Sequence, residues 1–182
     1  IPVELPGRDL KPPVKNQRFE LEKRLVSILT ASGSDQIFLY SFAGEDLYNK
    51  VGLDFDDNLK ILNPISHEHT FFQDTLLPGV LEKIGLNTQR FEKQDIFVIS
   101  KVVLKAMDNE NGIHIQPKFI SGAISSKEDD LFLKAKGKIE LILKNIGITN
   151  VRYENLSGKI PFKKARLFHP NKSAIIYSGE EQ

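Results

Sequence analysis

Two short stretches carry side chains of the kind that hold metals. Asp54-Phe55-Asp56-Asp57-Asn58 sets Asp54, Asp56 and Asn58 at the first three ligand positions of a calcium loop. The place that needs a sharp-turn glycine holds Leu59, and the place that needs a bidentate glutamate holds Ile65. A solvated turn is the expected outcome. His67-Glu68-His69 sets two imidazoles on one side of an extended strand, whereas helical zinc motifs place them at i and i+4. His114 and His169 could join them only if folding gathered all of these side chains, because a zinc site needs three or four convergent ligands. A surface or hydrogen-bonded pair is expected, and no metal ligand is assigned.

Phosphate chemistry fares no better. Gly158-Lys159 has the end of a phosphate-binding loop, but Ile160 stands where a Ser or Thr would hold magnesium, and Tyr153 stands where the first glycine belongs. No dinucleotide fingerprint and no nucleophile elbow occurs. The most basic stretch is Lys159, Lys163, Lys164 and Arg166, with Phe162 and Phe168 among them. Cations interleaved with aromatic rings can hold single-stranded RNA or DNA, so an RNA-contacting edge is the alternative reading. The simpler account is a solvated edge with its phenylalanines in the core.

The chain has 182 residues, a hydrophobic fraction of 40% and a net charge of +1, with 25 basic against 24 acidic side chains. That is enough apolar material for a core in one domain, and it lacks the basic excess of a dedicated nucleic-acid binder. The absence of cysteine removes disulfides, thiolate zinc sites and cysteine nucleophiles, and fits a reducing compartment. No apolar run approaches the ~20 residues of a membrane-spanning helix, and the first residues lack the character of a signal peptide. The only methionine is Met107, so the sequence reads as a piece of a longer protein.

The elements that must position these groups follow from periodicity. Four prolines within residues 1–15 predict an extended arm. From Asn16, Leu21, Leu25, Ile28 and Leu29 recur at helical spacing up to Gly33. Gln36 to Phe42 reads as a strand, Glu45 to Lys50 as a short helix closed by Gly52, and Leu59 to Leu62 as a strand ended by Pro64. Pro78 suits the first turn of a helix through Ile84. Asp95 to Leu104 and Ile113 to Ser125 read as strands, and so do Asn150 to Leu156 and Ser173 to Tyr177. Leu131 to Ile146 is a helix whose expected inner face is Phe132, Ala135, Ile139, Ile142, Leu143 and Ile146, with Lys134, Lys138 and Lys144 directed elsewhere. Strands that follow one another without intervening helices predict an α+β domain: a mainly antiparallel sheet flanked by helices.

Two stretches resemble a known pattern. Asn63-Pro64-Ile65-Ser66-His67-Glu68-His69-Thr70, followed by Leu76-Leu77-Pro78-Gly79-Val80-Leu81, is similar to the "NP-S-E-S … LLPGLL" signature of the phenylalanyl-tRNA synthetase β subunit. Phe168-His169-Pro170-Asn171-Lys172-Ser173-Ala174 resembles its "FHPGRSA". Lys136-Gly137, Tyr40-Ser41-Phe42 and the opening Ile1-Pro2 resemble its "KG", "YSF" and "NIP", in the same order over nearly the whole chain.

The resemblance implies the catalytic-like module of the bacterial-type subunit: residues 16–182 as one domain of class II aminoacyl-tRNA synthetase fold, behind the arm. It further implies a cytoplasmic (αβ)₂ heterotetramer in which the α subunit binds ATP, magnesium and phenylalanine. The β module would pack against that subunit, hold no cofactor, and meet tRNA only through the holoenzyme. Class II chemistry needs arginines that clamp triphosphate, and no "fRxE" tetrad occurs here. A stand-alone ATP-using enzyme is thus the weaker rival, and no catalytic or cofactor-binding residue is assigned.

Some positions depart from the family pattern. Gln73 replaces its arginine and Asp74 its threonine, its "FEIG" reads Phe97-Val98-Ile99-Ser100, and Lys134 replaces an aspartate. Asn171 and Lys172 stand for the glycine and arginine of "HPGRS". A salt bridge is expected to be lost at Gln73 and Val98, but not the fold. Asn63, Pro64 and Leu76 to Pro78 are expected to form a rigid corner that sets the angle of the following helix, with core packing favoured.

Overall fold

The computed structural model describes residues 14–108, 112–156, 167–169 and 172–179, together with Val3, Gly7, Lys11 and Pro12. Asn16 opens the first helix, α1 (Gln17–Ala31), by accepting from the N–H groups of Arg18 and Phe19 at 3.1 and 3.3 Å. Gly33, at φ 86°, ends it, and the Ser34 N–H folds back to Leu29 O.

The expected strand from Gln36 to Phe42 is divided between two sheets. β1 (Asp35–Gln36) lies parallel to β4 (Gln94–Lys101), and the Ile37 N–H still donates to Phe97 O at 2.8 Å. The chain then crosses over, and β2 (Phe42–Ala43) pairs antiparallel with β3 (Phe71–Phe72). Helix α2 (Glu45–Lys50) follows, closed by Gly52 at φ 70°. Leu59 to Leu62 makes only a bridge from Lys60 to Phe71, and Leu62 is fully exposed. Helix α3 (Leu77–Asn87) holds Pro78 in its first turn and runs past the expected end at Ile84.

β4 pairs antiparallel along its whole length with β7 (Lys118–Ser125), from Gln94↔Ser125 to Lys101↔Lys118. Both long expected strands break at the same end of this hairpin. Pro117, which has no N–H, precedes β7 and separates it from β6 (His114–Ile115). Opposite, Val102 and Val103 leave the ladder and turn into the core, their N–H groups donating to Pro117 O and Gln73 O, before β5 (Leu104–Asp108). Helix α4 (Leu131–Asn145) ends at Gly147, φ 87°, and β8 (Val151–Asn155) pairs antiparallel with β9 (Ala174–Ser178). One parallel pairing among antiparallel ones, with helices alongside, is the α+β arrangement expected.

Two apolar clusters hold this together. Leu76, Val80, Val98 and Val102 join α3 to β4, with Ile37, Leu39, Ile96 and Ala123 against them. Ala43, Tyr48, Leu53 and Phe71 join α2 to the β2–β3 pair, and Tyr48 meets Phe71 edge-on at 5.0 Å.

Helix α4 corrects the sequence reading. Phe132 and Ile139, expected inside, are 50% and 39% exposed, while Lys138, expected outside, is turned in. Its ammonium donates to Ser32 O, Ser32 Oγ and Ser34 Oγ and lies 2.9 Å from Asp95 Oδ2. An amine with a carboxylate and three oxygens in reach is satisfied at low exposure, so a charge replaces an apolar residue on the inner face.

Candidate functional site

Residues Ile37 to Tyr40 alternate as an extended chain must. Ile37 and Leu39 pack on the α3–β4 cluster, whereas Phe38 and Tyr40 face outward, 85% and 75% exposed. Gly79 allows α3 to approach this segment: a Cβ there would lie 2.7 Å from a Leu39 methyl. The "LPG" stretch therefore meets Leu39, the residue just before "YSF".

Gln73 fixes the far end of the segment. It is 3% exposed, and its Nε2 donates to Tyr40 O at 2.9 Å and Phe42 O at 3.1 Å. Its Oε1 is buried with no hydrogen-bond partner. No ion pair joins position 73 to Val98, which is 1% exposed in the core. The amide holds two backbone carbonyls in place, and the valine fills apolar space.

Behind the aromatic pair lies a cavity of about 380 Å³, walled by Phe38, Tyr40, Gln73, Gly79 and Leu86 among others. His69 stands at its wall, edge-on to Tyr40 at 5.0 Å, with Nδ1 2.9 Å from Ser66 Oγ. Asp46, Glu68 and Glu82 line it too, against Lys50 and Lys83, and Lys83 Nζ lies 3.3 Å from Glu82. The loop that carries His67 and Glu68 is pressed onto Gly44, where a Cβ would come 2.6 Å from His67 O.

The acidic turn also departs from expectation. Asp54 and Asp56 are exposed, but Asn58 is 2% exposed. Its Nδ2 lies 2.8 Å from Phe72 O and 3.2 Å from Asp74 Oδ1, and Tyr48 Oη donates to the same Asp74 oxygen at 2.8 Å. Burial first, and then the Asp74 carboxylate, hold the Tyr48 phenol well above its ordinary pKa. The turn is anchored from within by its asparagine.

The signature residues separate into core and surface. Leu76, Pro78 and Gly79 are buried and Leu77 half-buried. Asn63 and Pro64 are exposed in the loop after Lys60, so they are no part of a packed corner. Lys136 sits 4.7 Å over the Tyr153 ring and 3.6 Å from Glu140, and Gly137 is exposed on α4. Phe168 and His169 are exposed, and Ser173 Oγ donates to His169 O at 2.7 Å beside Ala174 of β9. Pro170, Lys159, Lys163, Lys164 and Arg166, and with them the basic edge, lie outside the described residues. Among the described residues, no three of His, Asp and Glu come together as metal ligands.

Comparison with known proteins decides the family. The profile described as "Phenylalanyl tRNA synthetase beta chain CLM domain" matches residues 1–182. The chain belongs to that family. A phenylalanine–tRNA ligase β subunit from Carboxydothermus hydrogenoformans is 31% identical over 173 residues, covering 87% of this chain and 21% of the relative. One from Geobacter metallireducens is 28% identical, covering 100% of this chain and 24% of the relative. The CLM domain thus spans about a fifth to a quarter of the length of these relatives. A solved pyrrolysyl-tRNA synthetase from Desulfitobacterium hafniense superposes with a TM-score of 0.59 at 16% identity, over 79% of this chain and 50% of that one. The CLM domain therefore has a class II synthetase-like fold.

Sequence reasoning missed Phe38 and the cavity of this CLM domain, and read Gln73 only as the loss of a salt bridge. Ile37-Phe38-Leu39-Tyr40 is apolar or aromatic throughout, so the sequence carries no alternation that marks which side faces out.

Proposed function

We propose that this CLM domain is a non-catalytic support within a phenylalanine–tRNA ligase β subunit, packing against the catalytic α subunit of a cytoplasmic (αβ)₂ ligase that makes Phe-tRNA. The observation that carries this reading is the cation content of the central sheet. Activation of an amino acid by ATP requires arginines aimed at the transferring phosphates. β1, β4 and β7 contain no arginine, and their lysines, Lys101 and Lys118, face each other in register at one end of the hairpin. Lys118 is further engaged by the Glu22 carboxylate. Among the described residues, the central sheet therefore presents no arginine to a triphosphate. ATP, magnesium and tRNA would be handled by the rest of the holoenzyme.

Calorimetry with Mg-ATP tests the catalytic half of this proposal. The domain is expected to give no saturable heat at micromolar to millimolar nucleotide. Saturable micromolar binding would revive the rival reading of an ATP-using enzyme. Co-expression with the α subunit tests the other half, with co-purification expected.

A further inference from the structure

Helix α4 carries one face that is open to solvent along its length. Leu133, Lys134, Gly137, Glu140, Leu141 and Lys144 are all exposed, and so is Asp130, the residue before the helix. Positions 130, 133, 134, 137, 140, 141 and 144 follow a heptad spacing, so these residues share a single stripe. Leu133 and Leu141 are 65% and 41% exposed, and Gly137 lies midway between them. A Cβ at Gly137 would meet nothing within 4 Å. Glycine inside a helix weakens it relative to alanine, and no contact within the domain calls for one here. Close approach of a second helix does, since without a side chain two axes can pack at the short end of their range of about 8–10 Å.

The order of the side chains says which helix. When a second α4 is laid antiparallel about Gly137, each residue meets the one equally far on the other side of the glycine. Leu133 then faces Leu141, Lys134 faces Glu140, and Asp130 faces Lys144. Apolar groups meet apolar groups and each charge meets its opposite. A parallel pairing would set Lys134 on Lys134 and Lys144 on Lys144. Within one chain Lys134 pairs with Glu128 and Asp130, and Glu140 with Lys136, but such exposed pairs contribute little and can exchange. We propose that this α4 face is a two-fold interface for a second copy of the same domain, helix against antiparallel helix, with Gly137 on the axis. About 21 Å of one helix covers less than the ~800 Å² per side of a stable interface, so the domain alone should pair weakly. A larger assembly that holds two copies together raises their effective concentration to about 1 mM, where the contact closes. The inference needs no property of the α subunit and stands independently of the function proposed above.

The test uses the 182-residue chain, whose lack of cysteine gives introduced thiols a clean background. Sedimentation equilibrium up to about 1 mM should show a monomer–dimer equilibrium for wild type and monomer for Leu133→Glu. Wild type that stays monomeric, or a dimer that survives Leu133→Glu, would overturn the interface. Oxidation of Gly137→Cys should give covalent dimer at least about 10-fold faster than Phe91→Cys, because pairing holds the thiols in reach. Phe91 is 57% exposed away from α4 and reports chance collision, so equal rates would overturn the proposal. Mixed Leu133→Cys and Leu141→Cys chains should form the mixed disulfide in preference to either self-disulfide. A preference for the self-disulfides would mean parallel packing and would also overturn it. Every substituted side chain is exposed, and circular dichroism and melting check that the variants fold; should Leu133→Glu fail to, the cysteine variants decide the question.

Discussion

Lys138 on α4 lies 2.9 Å from Asp95 at the start of β4, and the two close a polar junction with Ser32 and Ser34 at the end of α1. Three elements distant in sequence thus meet through one ammonium group. Both side chains are mostly withdrawn from water, at 18% and 26% exposure, so each charge is compensated by the other.

Lys138→Met should accordingly destabilise the domain by about 2–3 kcal/mol, because it leaves the largely withdrawn Asp95 carboxylate with the Ser34 hydroxyl but no cation. Adding Asp95→Leu should recover part of that loss, as the stranded charge goes. Urea unfolding of the two singles and the double measures the coupling. Strict additivity would show that the pair does not act as a unit.

Tyr48 gives the domain an alkaline limit. Its phenol stays protonated in the folded state far above the unfolded value of about 10, because burial and the Asp74 carboxylate oppose its ionisation. Below that value both states hold the proton, and stability does not depend on it. Above it the unfolded chain gives up the proton while the folded one keeps it, so stability falls by up to about 1.4 kcal/mol per pH unit. Tyr48→Phe should cost about 1 kcal/mol at neutral pH through the lost hydrogen bond. It should also flatten the decline above pH ~10. Stability against pH for both proteins shows whether the limb belongs to Tyr48.

Three glycines predict an order of damage. Alanine at Gly44 would put a methyl 2.6 Å from His67 O, and at Gly122 one 2.8 Å from Ile96 O. Backbone cannot yield, so each should cost about 1–3 kcal/mol. Alanine at Gly79 meets only side-chain atoms of Leu39, its methyls at 2.7 and 3.3 Å, which can shift where backbone cannot. Its cost should stay under about 1 kcal/mol. Thermal melts of the three variants establish the order, and Gly79→Ala as the worst would contradict it.

Much of the fold was legible because the signals were local. Asn16, Gly33, Gly52 and Gly147 mark helix ends by backbone chemistry that needs no distant partner. The failures all involve distant ones. A lysine on a helix reads as solvated unless Ser34 and Asp95 are known to wait for it, and an asparagine in an acidic turn reads as solvated unless Tyr48 and Asp74 are known to enclose it. The strand breaks at Gln36 and Lys101 likewise follow from the crossover into a second sheet and from Pro117 on the neighbouring chain segment. Of the candidate site, Gly79 stood in a motif but its neighbour Leu39 did not, so their contact and the cavity beside it belong to tertiary packing alone.

Sedimentation velocity of the domain mixed with the α subunit at micromolar concentration tests the central claim most directly. The account predicts a new boundary, faster than either protein alone and containing both. Two boundaries sedimenting independently, with both proteins folded, would contradict it.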